Sequence, residues 1–194
     1  MDKLIPSEEM VRKWLAAKVD RDRYEHSIRV MELIPELAAA HGVAGDPLRM
    51  AALLHDAARG MTGAEMLAAA RRWFLEVRSV DRDCPVLLHG RLAVVMAGQE
   101  LDLHEPAVVS AVLFHTSGDP EMSLPDKLFF LADMIEPARR MPGIKELRAL
   151  SYTDANAAML LAIDINKKHL AAKGRQVDPV TLKLERALKI AGGI

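Results

Sequence analysis

Residues 46–60 read DPLRMAALLHDAARG, and this stretch decides the fold. An acid followed by proline reads as a helix start, with Asp46 as the cap and Pro47 at the first helical position. Leu, Met and Ala follow at helical spacing, a palette that favours helix over strand, and the helix is expected to run to about Ala58. His55 shares a face with Leu48, Ala51 and Ala58, so an imidazole points the same way as the apolar side chains, with Asp56 directly after it.

The same punctuation repeats outward along the chain. Ser7 with Glu8 and Glu9 starts a first helix, and Asp22 with Glu25 starts a second that ends at Gly42. Thr62 opens a fourth with a capping-box pattern, and Pro85 precedes a helix through about Ala97. Glu105-Pro106 opens another that closes near Gly118, and Ser123 opens one that reaches Pro137. Thr153 starts a long helix to about Ala172, and Asp178-Pro179 starts the last. Strand alternation is absent over any useful length. One all-α domain over residues 1–194 is expected, a helical bundle with its motifs between about residues 20 and 165 and a helical extension over 166–194.

Composition agrees. Of the 194 residues 51% are hydrophobic but only 4% aromatic, so the core is built from Ala, Leu, Ile, Val and Met. The formal net charge of -1 supplies no global positive field for a nucleic-acid backbone. The single cysteine, Cys84, excludes an internal disulfide and suits a reducing compartment. No apolar run approaches the roughly 18 residues of a membrane span, and the opening MDKLIPSEEMVRKW lacks a secretory core. A cytoplasmic protein without membrane or nucleic-acid partners is expected.

Seven histidines divide into two groups. His41, His104 and His169 lie at helix ends, where imidazoles are ordinary. The other four lie on apolar stripes: His26 with Val30, Leu33 and Leu37; His55 as above; His89 with Val86, Ala93 and Met96; His115 with Val108, Ala111 and Val112. Asp133 interrupts LFFLADMI, four residues after Phe129. Inward polar groups need partners or a metal. Helix bundles build metal sites from side chains on facing helices, and imidazole with carboxylate suits Fe, Mn, Zn or Ni better than calcium. Periodicity alone does not bring the six together.

The order His26 … His55-Asp56 … Asp133 resembles the signature of the HD-domain phosphohydrolases. Within them the chain looks like the YqeK family of symmetrical diadenosine tetraphosphatases. The matching stretches are RYEHSIRVMELIPELA (23–38), AALLHDAARG (51–60), LLHGRLA (87–93) and FHTSGDPEMSLPDKLFFLADMIEPARRMPGIKELR (114–148). The resemblance implies a helical HD fold, a central metal site with iron as its metal, and hydrolysis of diadenosine tetraphosphate (Ap4A) to two ADP. It implies that His26, His55, Asp56 and Asp133 hold one metal, and that His89 and His115 hold a second with Asp56 as the bridge. Three positions depart from the family pattern: Arg59 stands for a lysine, Met134 for a tyrosine and Ala138 for an asparagine.

A bound metal lowers the pKa of coordinated water towards ~7 and offsets phosphate charge. Arg139 is expected to grip phosphate through its fork of donors, with Lys127 and Arg59 adding charge, and with Thr116 and Ser117 either bonding phosphate or capping the helix end. With one metal only, His89 or His115 is free to act as general acid. Arg140, Lys145 and Arg148 are expected on the surface. Three other readings stay open: a phosphohydrolase for another nucleotide or phosphate ester, including one linked to NAD metabolism; a di-iron oxygenase; and a nucleotide-binding regulator, against which all six metal positions stand intact.

Overall fold

The computed structural model describes residues 6–193, and among these it contains α-helices and one short 3-10 turn but no strand. The helices are α1 (Glu8–Ala16), α2 (Arg21–Ala40), α3 (Asp46–Leu54), α4 (Gly63–Arg72), α5 (Ser79–Asp83), α6 (His89–Leu101), α7 (Pro106–Phe114), α8 (Leu124–Ile135), α9 (Ile144–Ser151), α10 (Ala155–Ala172) and α11 (Pro179–Ala191). The 3-10 turn, Pro85–Leu88, leads into α6.

The caps explain most of the boundaries. Ser7, Thr62, Glu105, Ser123 and Asp178 each accept a hydrogen bond from a backbone N–H of the first turn they precede. Thr62 with Glu65 and Ser123 with Asp126 form full capping boxes. Several expectations are corrected. The second helix starts at Arg21, because Asp20 is its cap and accepts from Arg23 N at 2.8 Å; Asp22 lies inside the first turn. Gly45 precedes α3 and Asp46 is its first residue, without a side-chain cap bond. Asp154, not Thr153, caps α10. Two short helices, α5 and α9, have weak punctuation: Arg78 caps the former and Gly143, in the left-handed region at φ 82°, precedes the latter.

α2, α3, α7 and α8 form the central bundle: α2 packs on α3 and α8, and α7 packs on the same two. α6 lies on α7, α10 on α8 and α9, and α11 on α10. The apolar stripes read from sequence meet here. Val30, Ile34, Leu53, Leu54, Val112, Leu128, Phe129 and Leu131 are buried, each such side chain contributing roughly 1.5–3 kcal/mol. Leu184 and Leu188 of α11 belong to the same core, so the last helix shares it. No helix among the described residues is long and apolar enough to cross a membrane.

Arg148 is not surface decoration. Its guanidinium donates to the carbonyls of Ile135 and Glu136 at 2.9 Å and of Arg139 at 3.2 Å, satisfying acceptors left open where α8 ends.

Candidate metal centre

α3 stops at Leu54, short of the expected Ala58, and this has a chemical consequence. Neighbours on a regular helix point about 100° apart. Beyond Leu54 the chain tightens, with Ala57 N bonded to Leu54 O and Arg59 N to Asp56 O. His55 and Asp56 then face one centre together, their Nε2 and Oδ2 3.5 Å apart. The other donors also sit at element ends or on buried faces. His26 points in from the first half of α2, His89 begins α6, His115 ends α7, and Asp133 lies in the last turn of α8.

All six converge. Nε2 of His26 lies 2.9 Å from Asp133 Oδ1, 3.4 Å from His55 Nε2 and 3.9 Å from Asp56 Oδ2. Nε2 of His89 lies 2.7 Å from His115 Nε2 and 3.3 Å from Asp56 Oδ1. Asp56 thus presents one oxygen to each group. Two donor clusters result, His26–His55–Asp56 and Asp56–His89–His115, all buried. Donors that share an ion at roughly 2.1 Å stand about 3–3.4 Å apart, so the spacing fits divalent cations.

The hydrogen bonds set which nitrogen faces inward. Nδ1 of His55, His89 and His115 donates to the carbonyls of Ala52, Val86 and Val112, each three residues earlier. Those carbonyls only accept, so the proton sits on Nδ1 and Nε2 offers a lone pair to the centre. His26 Nδ1 faces Glu136 Oε1 at 3.3 Å. Burial pushes the pKa of His55 down to about 4, against the pull of Asp56. Burial and then the facing His115 push His89 down to about 3. Burial alone would raise Asp56, but His55 and His89 hold it below the usual carboxylate range. Asp133 is held well below it by the His26 hydrogen bond and the Arg139 charge, again against burial. At neutral pH the centre therefore offers neutral imidazoles at His55 and His89 and charged carboxylates, the protonation state that cation binding requires.

Close approach of the two ends depends on a residue without a side chain. A Cβ at Gly90 would stand 2.7 Å from Val112 O and 3.2 Å from His115 Cε1. Beneath the centre Phe129 packs edge-on to His55, ring centroids 5.7 Å apart, and keeps the floor apolar.

The surrounding cations divide. Arg23 donates to Asp56 Oδ2 at 2.8 Å, and Arg59 Nε stands 3.7 Å from Oδ1. Arg139 donates to Asp133 through Nη2 at 2.8 Å and to its carbonyl through Nε at 3.1 Å. Lys127 donates to Asn156 of α10 at 2.9 Å and does not line the cavity beside the centre. Thr116 Oγ1 lies 3.3 Å from Nε2 of both His89 and His115. Ser117 Oγ donates to Asp178 at 2.9 Å. A cavity of about 730 Å³ opens here, with Arg59, Thr116 and Ser117 on one side and Asn166, Arg175 and Gln176 from the C-terminal segment on the other. Cys84 is half-buried and lines it too.

Arg23, Arg29 and Glu136 are absent from the sequence expectations. Glu136 is almost wholly buried and takes Arg29 Nε at 2.7 Å while facing His26. Its position inside the IEPAR stretch, and that of Arg23 three residues before His26, were the available signals. Of the histidines set aside, His41 donates to Ser151 O at 2.7 Å, His104 lies 3.1 Å from Asp102, and His169 is exposed.

Helices that aim buried imidazoles and carboxylates at one point define a helical protein with a candidate centre for divalent cations. The chain belongs to the HD domain family, which matches residues 23–138. Among its relatives is the symmetrical bis(5'-nucleosyl)-tetraphosphatase of Halalkalibacterium halodurans, 34% identical over 160 residues, 82% of this chain and 85% of that protein. The protein of the same name from Bacillus subtilis is 33% identical over 159 residues, again 82% and 85% of the two chains. A solved HD-superfamily hydrolase of Clostridium acetobutylicum, described as involved in NAD metabolism, superposes with a TM-score of 0.91 at 29% identity, covering 96% of this chain and 99% of that one.

Proposed function

We propose that the protein hydrolyses diadenosine tetraphosphate symmetrically to two ADP, using a pair of cations held by the six converged side chains. The observation that carries this reading is the two-sided position of Asp56, one oxygen toward each histidine pair, beside a cavity large enough for a nucleotide. His26, His55, Asp56 and Asp133 would hold one cation, and Asp56, His89 and His115 the other. Iron is the metal we assign; manganese, zinc and nickel suit the same donors. When bound, the metals supply activated water and offset charge on the phosphates.

The chain's own groups do the rest. Arg59 projects from the turn after Asp56 and lines the cavity, placing a permanent positive charge where phosphate would enter. As arginine it orients phosphate but does not donate a proton. Thr116 offers a hydroxyl at the rim of the His89–His115 pair. Arg139 spends Nε and Nη2 on Asp133, which fixes that carboxylate; it does not line the cavity, and in this reading its remaining donors would meet a phosphate held at the metal centre. With both pairs of histidines committed to cations, neither His89 nor His115 serves as general acid. In this reading the whole chain works as one HD unit in the cytoplasm, and its ligand is a small nucleotide.

The test is chromatography of products from Ap4A incubated with the metal-loaded protein under argon. ADP as the only nucleotide product supports the reading, and AMP with ATP contradicts symmetrical cleavage. Turnover that needs oxygen would favour a di-iron oxygenase. A second substrate class, another nucleotide or phosphate ester linked to NAD metabolism, is supported by the description of the Clostridium relative as involved in NAD metabolism. Brisk phosphate release from a mononucleotide with Ap4A untouched would select it.

A further inference from the structure

The HD domain match ends at residue 138, yet a residue forty positions later reaches the turn that follows His115. Asp178, at the start of α11, is nearly buried and accepts from Ser117 Oγ at 2.9 Å. The same carboxylate takes Arg78 in a two-point contact, Nη2 to Oδ2 at 2.9 Å and Nη1 to Oδ1 at 3.3 Å. Arg78 also donates to Asp81 Oδ1 at 2.9 Å, and Asp81 takes Arg91 Nη2 at 2.6 Å. Arg91 is on α6, two residues after His89, and Ser117 is two residues after His115. A continuous run of charged hydrogen bonds, Arg91–Asp81–Arg78–Asp178–Ser117, therefore joins the helix that presents His89 to the turn that presents His115.

Two further contacts tie the same turn to α11. Thr181 Oγ1 donates to Ser117 O at 2.7 Å. Gly118 stands in the left-handed region at φ 71°, where a Cβ would lie 2.3 Å from Leu184 Cδ2. Asp81 is fully buried and Asp178 nearly so. Buried carboxylates are costly unless every partner is in place, so the network is stable in one geometry and not in its neighbours.

We propose that Asp178 is a positioning residue that closes this network and fixes the spacing of His89 and His115. The proposal rests on the reading that those two histidines hold the second cation. The C-terminal helix then supports the metal centre, because without Asp178 the turn at 115–118 keeps its packing on α6 but loses its charged hydrogen-bond link to it through Arg78 and Asp81. Outer partners that orient metal ligands change affinity by roughly 10–100-fold when removed.

The test is Mn²⁺ binding to the metal-free protein by equilibrium dialysis, with free ion read by electron paramagnetic resonance and no substrate present. His89→Ala serves as the one-site reference. The expected result is two ions on the native chain and a second ion bound up to roughly 10-fold more weakly by Asp178→Ala, the low end of the range because Asp178 acts on His115 only through Ser117, with the first unchanged. Ser117→Ala leaves the Arg78–Asp178 pair intact, which keeps the question open to measurement should Asp178→Ala fail to fold. It should weaken the same ion alone, to a smaller degree. A native chain that takes up one ion overturns both the metal reading and the proposal. A native chain with two ions, together with folded variants that bind both as tightly, overturns the proposal alone. Equal weakening of both ions also overturns it, since that marks a general structural role.

Discussion

Glu136→Gln should weaken one cation without touching any expected ligand. The Oε2 side of Glu136 is faced by two groups that can only donate, Arg29 Nε and the Ala138 N–H, each at 2.7 Å. A glutamine must keep its oxygen there, which leaves its NH₂ against His26 Nδ1, 3.3 Å away in the native chain. Two donors cannot share that contact. Metal binding needs the Nε2 lone pair, so the imidazole proton must then sit on Nδ1, which the glutamine NH₂ opposes. Without metal, Nε2 instead donates to Asp133 Oδ1, 2.9 Å away, and the substitution favours that metal-free tautomer. A protonated Nε2 has no lone pair for a metal. Loss of one charge-assisted bond in a buried setting costs about 2 kcal/mol of stability, and loss of the orienting carboxylate costs roughly 10–100-fold in affinity for the first cation. Mn²⁺ dialysis gives the affinity, and nitrogen NMR of ¹⁵N-histidine in the Zn²⁺-loaded protein gives the tautomer. The second cation should bind as before. Native affinity for the first ion would refute the reasoning.

Other outcomes follow from the same geometry. Asp56→Ala should abolish binding of both cations and all turnover, whereas His169→Ala, exposed and away from the centre, should change neither; metal analysis of the purified variants checks both. Gly90→Ala should push α6 off Val112 and His115, destabilising the fold by about 1–3 kcal/mol in urea melts and weakening the second cation in dialysis. The metal-free protein should lose stability as pH falls from 6.5. The folded-state pKa of His55 is lowered from 6.5 to about 4, so the unfolded chain binds more protons across that window, and about 3 kcal/mol is lost by its lower end. His89, lowered to about 3, extends the loss further down, and a flat profile of urea midpoints between pH 6.5 and 4 would contradict the buried, neutral state of these rings.

The helical class, most helix starts and the inward set of four histidines and two aspartates were legible in the sequence, because these are local properties. Capping chemistry acts within one turn, and an imidazole on an apolar stripe must point inward whatever packs above it. The α5 and α9 segments escaped notice because their starts lack the usual cap residues. Convergence was not local. Nothing in the spacing showed that His26 and Asp133, on α2 and α8, approach to 2.9 Å, or that the helix must break after Leu54 so that His55 and Asp56 face one point. The roles of the arginines also came from packing. Arg23 on Asp56, Arg139 on Asp133 and Arg148 on the end of α8 are pairings between distant or unrelated positions, and a guanidinium's long stem reaches whichever acceptor the fold supplies. The sequence determined which groups are forced inward by periodicity. Only the tertiary structure decided which of them meet, and that Asp178, the cap of α11, bonds the turn that presents His115.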